Sequence, residues 1–142
     1  MKFETILEEI ENDSIINESK LDAESLKIPA LYAKWYRILV TEFRILSTAE
    51  AELDSLNKHK TEYYLGRCPD EVYKEKPLNL RIIKSDLDVY LSADPEIVEL
   101  KQKIKIQRMK VDTVENFIKT LNNRGFNIKN AIDFRRFQAG LN

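Results

Sequence analysis

Ile97, Leu100, Ile104, Gln107, Val111, Val114, Ile118 and Leu121 follow one another at alternating three- and four-residue steps, and seven of the eight are apolar. That spacing puts them on one stripe of a helix and demands a second helix to cover the stripe. Asp94 before it is a good N-cap, Pro95 suits the first helical position, and Glu96 suits the positive end of the dipole. The pattern predicts a helix from Pro95 that Gly125 closes, with residues 127–139 as a separate short helix.

The partner stripe lies upstream. No Gly or Pro occurs between Ala30 and Tyr64. Leu39, Leu46, Leu53 and Lys60 form one seam of a heptad frame, and Glu42, Ala49, Leu56 and Tyr63 the other; six of these eight are apolar or aromatic. Gly66 ends this helix and Pro69 cannot continue it. Pro29 either starts the helix or kinks it. Phe3, Ile6, Leu7 and Ile10 mark a further amphipathic helix at the N-terminus. The expected fold is all-α: a long antiparallel helical hairpin (34–125) with its connector near 68–85, an acidic N-terminal arm (1–33) and a C-terminal assembly helix (126–142), together forming one helical domain.

Three Gly and four Pro in 142 residues are too few for the turns of a β-sandwich or for a glycine-rich phosphate loop. One Cys (Cys68) and one His (His59) exclude a disulfide framework and the usual zinc ligand sets. They leave no Ser-His-Asp or Cys-His arrangement unless His59 is its whole base. No carboxylate pair stands in a Glu-x-x-His pattern, so no metal, cofactor or catalytic activity is expected. The N-terminal segment is acidic and lacks the apolar core of a signal peptide, and no stretch approaches the ~20 apolar residues of a membrane span. A soluble intracellular protein is expected.

The net charge of −1 hides a strong asymmetry: residues 1–33 hold three basic and eight acidic side chains, residues 101–142 ten and three. An acidic arm beside a basic working surface gives this pattern, and so does a helical protein that packs its own opposite charges together. Two clusters suit nucleic acid. In the run 101–110, Lys101, Lys105 and Arg108 share one helix flank, as a phosphate-contacting stripe or as a solvated outer face. Lys58, His59 and Lys60, followed by Tyr63, Tyr64 and Arg67, interleave cations with aromatic rings, as single strands require; alternatively Tyr63 only completes the hairpin seam. Trp35, Tyr36, Ile38, Val40, Phe43 and Ile45 spread around more of the first helix than one partner stripe covers. A second copy of the chain is the expected cover, with Ile128, Ile132, Phe134 and Phe137 of the last helix available for assembly.

The strings LYAKW (31–35), KHKTEYYLGR (58–67), LSAD (91–94), RGFNIK (124–129) and FRRFQAG (134–140) resemble the UvsY family, the recombination mediators of T-even-like bacteriophages, in matching order along nearly the whole chain. The resemblance implies a non-enzymatic protein of the infected host's cytoplasm that binds single-stranded DNA. It implies loading of a RecA-like recombinase (UvsX) onto strand covered by the phage single-stranded DNA-binding protein. It also implies ring-like or open-barrel homo-oligomers of six or seven copies, assembled through the C-terminal region. The family's basic-x-basic motif before paired tyrosines falls on Lys58 and Lys60; Arg67 joins them by charge. This chain departs from the pattern in having His59 between them and a more basic 101–110 segment. The competing expectation is a helical oligomeric scaffold that binds only proteins, which requires the basic run to be neutralised by the acidic arm.

Overall fold

A computed structural model describes residues 1–141, and it is all-helical among them. The elements are α1 (Phe3–Ser14), α2 (Leu21–Tyr64), α3 (Asp70–Glu75), a 3-10 turn (Lys84–Asp86), α4 (Leu87–Ala93) and α5 (Pro95–Gln138). The chain divides into two compact units. One comprises Met1–Arg44 and Arg108–Asn142, the other Ile45–Gln107, so α2 and α5 each contribute to both.

In the first unit α2 and α5 run antiparallel, with α1 packed on them. Ile6 and Trp35 are fully buried with Val114, Phe117, Ile118 and Leu121. Trp35 meets Phe117 edge to face, with centroids 4.8 Å apart. Its indole N–H donates to Asp13 at 2.8 Å, which satisfies the one polar atom of a fully buried ring. Lys34 bridges Glu9 and Asp13. The acidic first helix therefore docks by burying an apolar stripe and turning carboxylates to Lys34. Burial opposes the charge of that ammonium, but the hydrogen bonds it donates to Asp13 and Glu9 prevail and raise its pKa. Glu42, nearly inaccessible at 1 % exposure, receives Lys110 at 3.1 Å.

One expected boundary is corrected here, and one that the sequence left open is decided. Gly125 does not close α5, which continues to Gln138 and absorbs the separate short helix expected over 127–139. The buried stripe runs on through Leu121, Arg124 and Ile128 at the same spacing. Continued packing outweighs the roughly 1 kcal/mol that an interior glycine costs. Arg124 holds this place on the seam because its guanidinium donates to the carbonyls of Asp13 and Ile15, at the end of α1, and reaches Glu24. Helix ends leave such carbonyls without intrahelical donors, and a buried arginine supplies them. Pro29 neither starts nor ends α2 but lies inside it. Leu21 and Glu24 upstream of it are buried and Ile28 is half-buried, so the stripe that holds Trp35 extends backwards across the proline, whose own side chain is exposed.

The second unit pairs the C-terminal part of α2 with the N-terminal part of α5, closed by the connector, α3 and α4. Leu46, Ile97 and Ile104 are its buried apolar side chains, joined by the buried polar Lys60, Asp94 and Gln107. Positions 49, 53, 56 and 63 of the expected α2 seams are half-buried. The glycine expected to end α2 does so: Gly66 has φ +75° and donates to Tyr63, while Arg67 donates to Glu62, the paired closing bonds of a Schellman cap. Gly140 ends α5 in the same manner.

Candidate nucleic-acid interface

The expected site residues separate into those occupied inside the fold and those left on its surface. Lys60 belongs to the first group. It stands on the α2 seam, 8 % exposed, with its ammonium 3.2 Å from Asp94 and 3.5 Å from Glu96. It also lies 5.7 Å from the Tyr63 ring centroid. Its partner Asp94 is itself 3 % exposed and serves two elements. One carboxylate oxygen accepts the backbone N–H groups of Glu96 and Ile97, capping α5; the other accepts the Tyr64 hydroxyl at 2.6 Å and faces Lys60. Burial opposes the negative charge. The hydrogen bonds from Tyr64, Ile97 and Lys60 outweigh it and hold the carboxyl below its usual pKa. Burial, and then the bond to Asp94, push the Tyr64 phenol far above its ordinary value. Glu96 is held low chiefly by its bond from Lys76, with Lys60 adding to it, and the same bond raises Lys76.

The paired tyrosines are likewise engaged. Tyr63 donates its hydroxyl to the carbonyl of Lys76, and Tyr73 donates to the carbonyl of Tyr63 at 2.7 Å. The Tyr63 and Tyr73 rings stack at 5.4 Å, Tyr64 stands edge-on to Tyr63, and Tyr90 leans on Tyr64 at 5.8 Å. All four rings are half-buried. Asp94, Tyr73 and Tyr90 were not candidates in the sequence. Asp94 read only as a helix cap, and nothing local links it to a lysine 34 positions earlier.

Lys58, His59 and Arg67 are exposed at the C-terminal end of α2. Lys101 and Lys105 are exposed on the α5 segment of the same unit. Among the described residues Lys58, Arg67, Lys101 and Lys105 enter no ion pair. Lys103 has a loose contact with Glu99 at 3.5 Å. Arg108 begins the α5 segment of the other unit; it is exposed and already has a partner in the chain. The carboxylates of α1 that form ion pairs, Glu9 and Asp13, pair with Lys34, not with Lys101 or Lys105.

Of the residues expected at an assembly face, Ile128 is only 2 % exposed and is spent within its own unit, because it continues the α5 seam. Ile132, Phe134 and Phe137 are 37 %, 60 % and 74 % exposed. Among the described residues no group of three or more His, Cys, Asp or Glu is placed to hold a metal ion, and no helix is long and apolar enough to cross a membrane.

Comparison with known proteins gives this arrangement a lineage. A family model described as recombination, repair and ssDNA binding protein UvsY matches residues 9–141. Recombination protein uvsY of Enterobacteria phage T4 is 27% identical over 140 residues, spanning 99% of each chain. A crystal structure of the bacteriophage T4 recombination mediator protein UvsY matches with a TM-score of 0.86 at 27% identity, over 98% of both chains. Another crystal form of that protein matches with a TM-score of 0.83 at 25% identity, over 97% of this chain and 99% of its own. The family-model match over residues 9–141, together with the whole-chain similarity in sequence and fold, leads to one conclusion: this chain belongs to the UvsY family.

Proposed function

We propose that the protein is a recombination mediator that binds single-stranded DNA and helps a RecA-like recombinase load onto strand occupied by a single-stranded DNA-binding protein. The observation that carries the reading is the exposure of Lys58, Arg67, Lys101 and Lys105 in one unit, outside the ion pairs that consume Lys60 and Lys110. Exposed cations without carboxylate partners are the groups that phosphates can displace water and counterions to reach. Lys60 contributes by fixing the junction of α2 and α5 beside Lys58.

Each protomer offers only a few cations. Affinity then comes from repetition: six or seven copies in a ring present the patch several times to one strand. The exposed Ile132, Phe134 and Phe137 near the end of α5 are the apolar groups available to such an assembly. A strand held along the ring is removed from the competing protein and presented to the recombinase (UvsX) in the cytoplasm of the infected host.

Fluorescence anisotropy of a labelled single strand, titrated at two salt concentrations with duplex as competitor, tests the reading. Tight binding that weakens steeply with salt, with duplex a poor competitor, is expected. No binding at low salt would defeat it and leave a protein-binding scaffold.

A further inference from the structure

Beside the aromatic group of the second unit lies an open cavity of about 870 Å³. It is within the ~300–1,000 Å³ range of small-ligand sites. Residues 77–83, which form neither helix nor strand, make one wall, and Tyr64, Tyr73 and the end of α2 make the other. Its lining includes Asn79, Arg81 and Lys84 and no acidic side chain. Arg81 and Lys84 are both exposed, and among the described residues neither enters an ion pair.

We propose that this cavity is a nucleotide-binding site for single-stranded DNA, taking one unstacked base against the tyrosine wall with its flanking phosphates on Arg81 and Lys84. The proposal rests on the reading that the chain binds single strands. Three features support it. Aromatic faces beside cations are the combination that holds an unstacked nucleotide. The rings are already immobilised: Tyr64 is tied through its hydroxyl to Asp94, and Tyr73 to the Tyr63 carbonyl while accepting the Cys68 N–H. Little ordering cost therefore remains for a ligand to bear. Tyr63 stacks on Tyr73 with a tilt of only 18°, and Tyr73 also lines the cavity, so a base held there would add to an aromatic cluster already in place. The same fixation explains why the paired tyrosines look like nucleic-acid stackers in sequence yet have engaged hydroxyls in the fold: they and Tyr73 form a rigid platform.

The test compares the unmodified protein with Arg81→Ala/Lys84→Ala and with Lys58→Ala. Each is titrated against an oligothymidylate and against the same strand carrying abasic sites. The unmodified protein should bind the base-bearing strand at least about fivefold more tightly than the abasic one. The double variant should lose most of that preference, and its log K against log salt slope should flatten by about 0.7 for each phosphate contact removed. Lys58→Ala should flatten the slope and keep the preference. A 4-thiothymidine strand, photocrosslinked to the unmodified chain and mapped by peptide mass spectrometry, should mark residues 64–84; this readout does not depend on any variant folding. If the unmodified protein binds DNA but shows no base preference, no crosslink in 64–84 and no change in the double variant, the cavity proposal is overturned while the mediator reading stands. If the double variant keeps its DNA behaviour but loses binding to a recombinase or to an acidic peptide, the cavity belongs to a protein partner and the proposal is equally overturned. Failure of the unmodified protein to bind any single strand removes both.

Discussion

The two units solve the same packing problem with different chemistry. The unit of α1, the N-terminal part of α2 and the C-terminal part of α5 is closed mainly by large apolar side chains, with Trp35 and Ile6 at 0 % exposure, although it also buries Glu24, Glu42 and Arg124. The unit of the connector is closed by a polar cluster in which Lys60, Asp94 and Tyr64 satisfy one another around the start of α5. Apolar burial is non-directional and tolerates drift, whereas the cluster works only with each hydrogen bond made. The second solution holds the Tyr64 and Tyr73 rings by bonds from their hydroxyls. A region whose task is to anchor a helix gains from the first.

Truncating the apolar closure should have the largest effect. Trp35→Ala removes a fully buried ring and its bond to Asp13, and should lower stability by about 3–5 kcal/mol in denaturant unfolding. A loss under about 1 kcal/mol would mean that the first unit does not depend on this core.

Lys60→Met should come next. It leaves the buried Asp94 carboxylate with only Tyr64 and two backbone N–H groups, at a cost of about 2 kcal/mol. The same cluster shapes the acid limb of stability. Asp94 has its pKa lowered in the folded state, so its contribution is complete above the unfolded carboxylate value near ~4 and is lost as pH falls through the folded value. Asp94→Asn, which keeps a capping oxygen, should be less stable near neutrality and should lose less on acidification. An unchanged acid limb, measured by thermal melting from neutral pH downward, would remove Asp94 from that role.

Lys58→Ala should leave melting unaltered and flatten the salt dependence of single-strand binding by about 0.7 in slope. Equal slopes for the two proteins would place DNA elsewhere. The smallest effect is a gain. Gly125 lies inside α5 without positive φ, and an added Cβ would meet the Ile28 side chain at 3.9 Å, an ordinary contact. Gly125→Ala should therefore raise stability by about 0.5–1 kcal/mol; a destabilised variant would mean that close approach, not tolerance, explains the glycine.

Much of the fold was legible because helix burial is periodic. The α5 stripe from Ile97 to Leu121 is buried or half-buried at all eight expected positions, and Asp94 caps that helix as its position before Pro95 indicates. The α5 boundary misled because Gly125 after Arg124 is a good local stop signal. What carries the helix past it is the placement of Arg124 on the carbonyls of Asp13 and Ile15, over 100 residues away. At Pro29, which the sequence left open between starting the helix and lying within it as a kink, the packing of Leu21 and Glu24 excludes the start.

The candidate interface divides along the same line. Charge, aromatic spacing and seam position are written in neighbouring residues, so the cationic cluster at 58–67 and the seam position of Lys60 could be read directly. Which cations remain for a partner depends on carboxylates brought from elsewhere in the chain: Asp94 and Glu96 to Lys60, Glu42 to Lys110. Periodicity determined which faces of the helices turn inward, because 3.6 residues per turn is a local property. Only the tertiary structure decided which charges those faces consume, because an ion pair forms between residues that are close in space, whatever their separation in sequence.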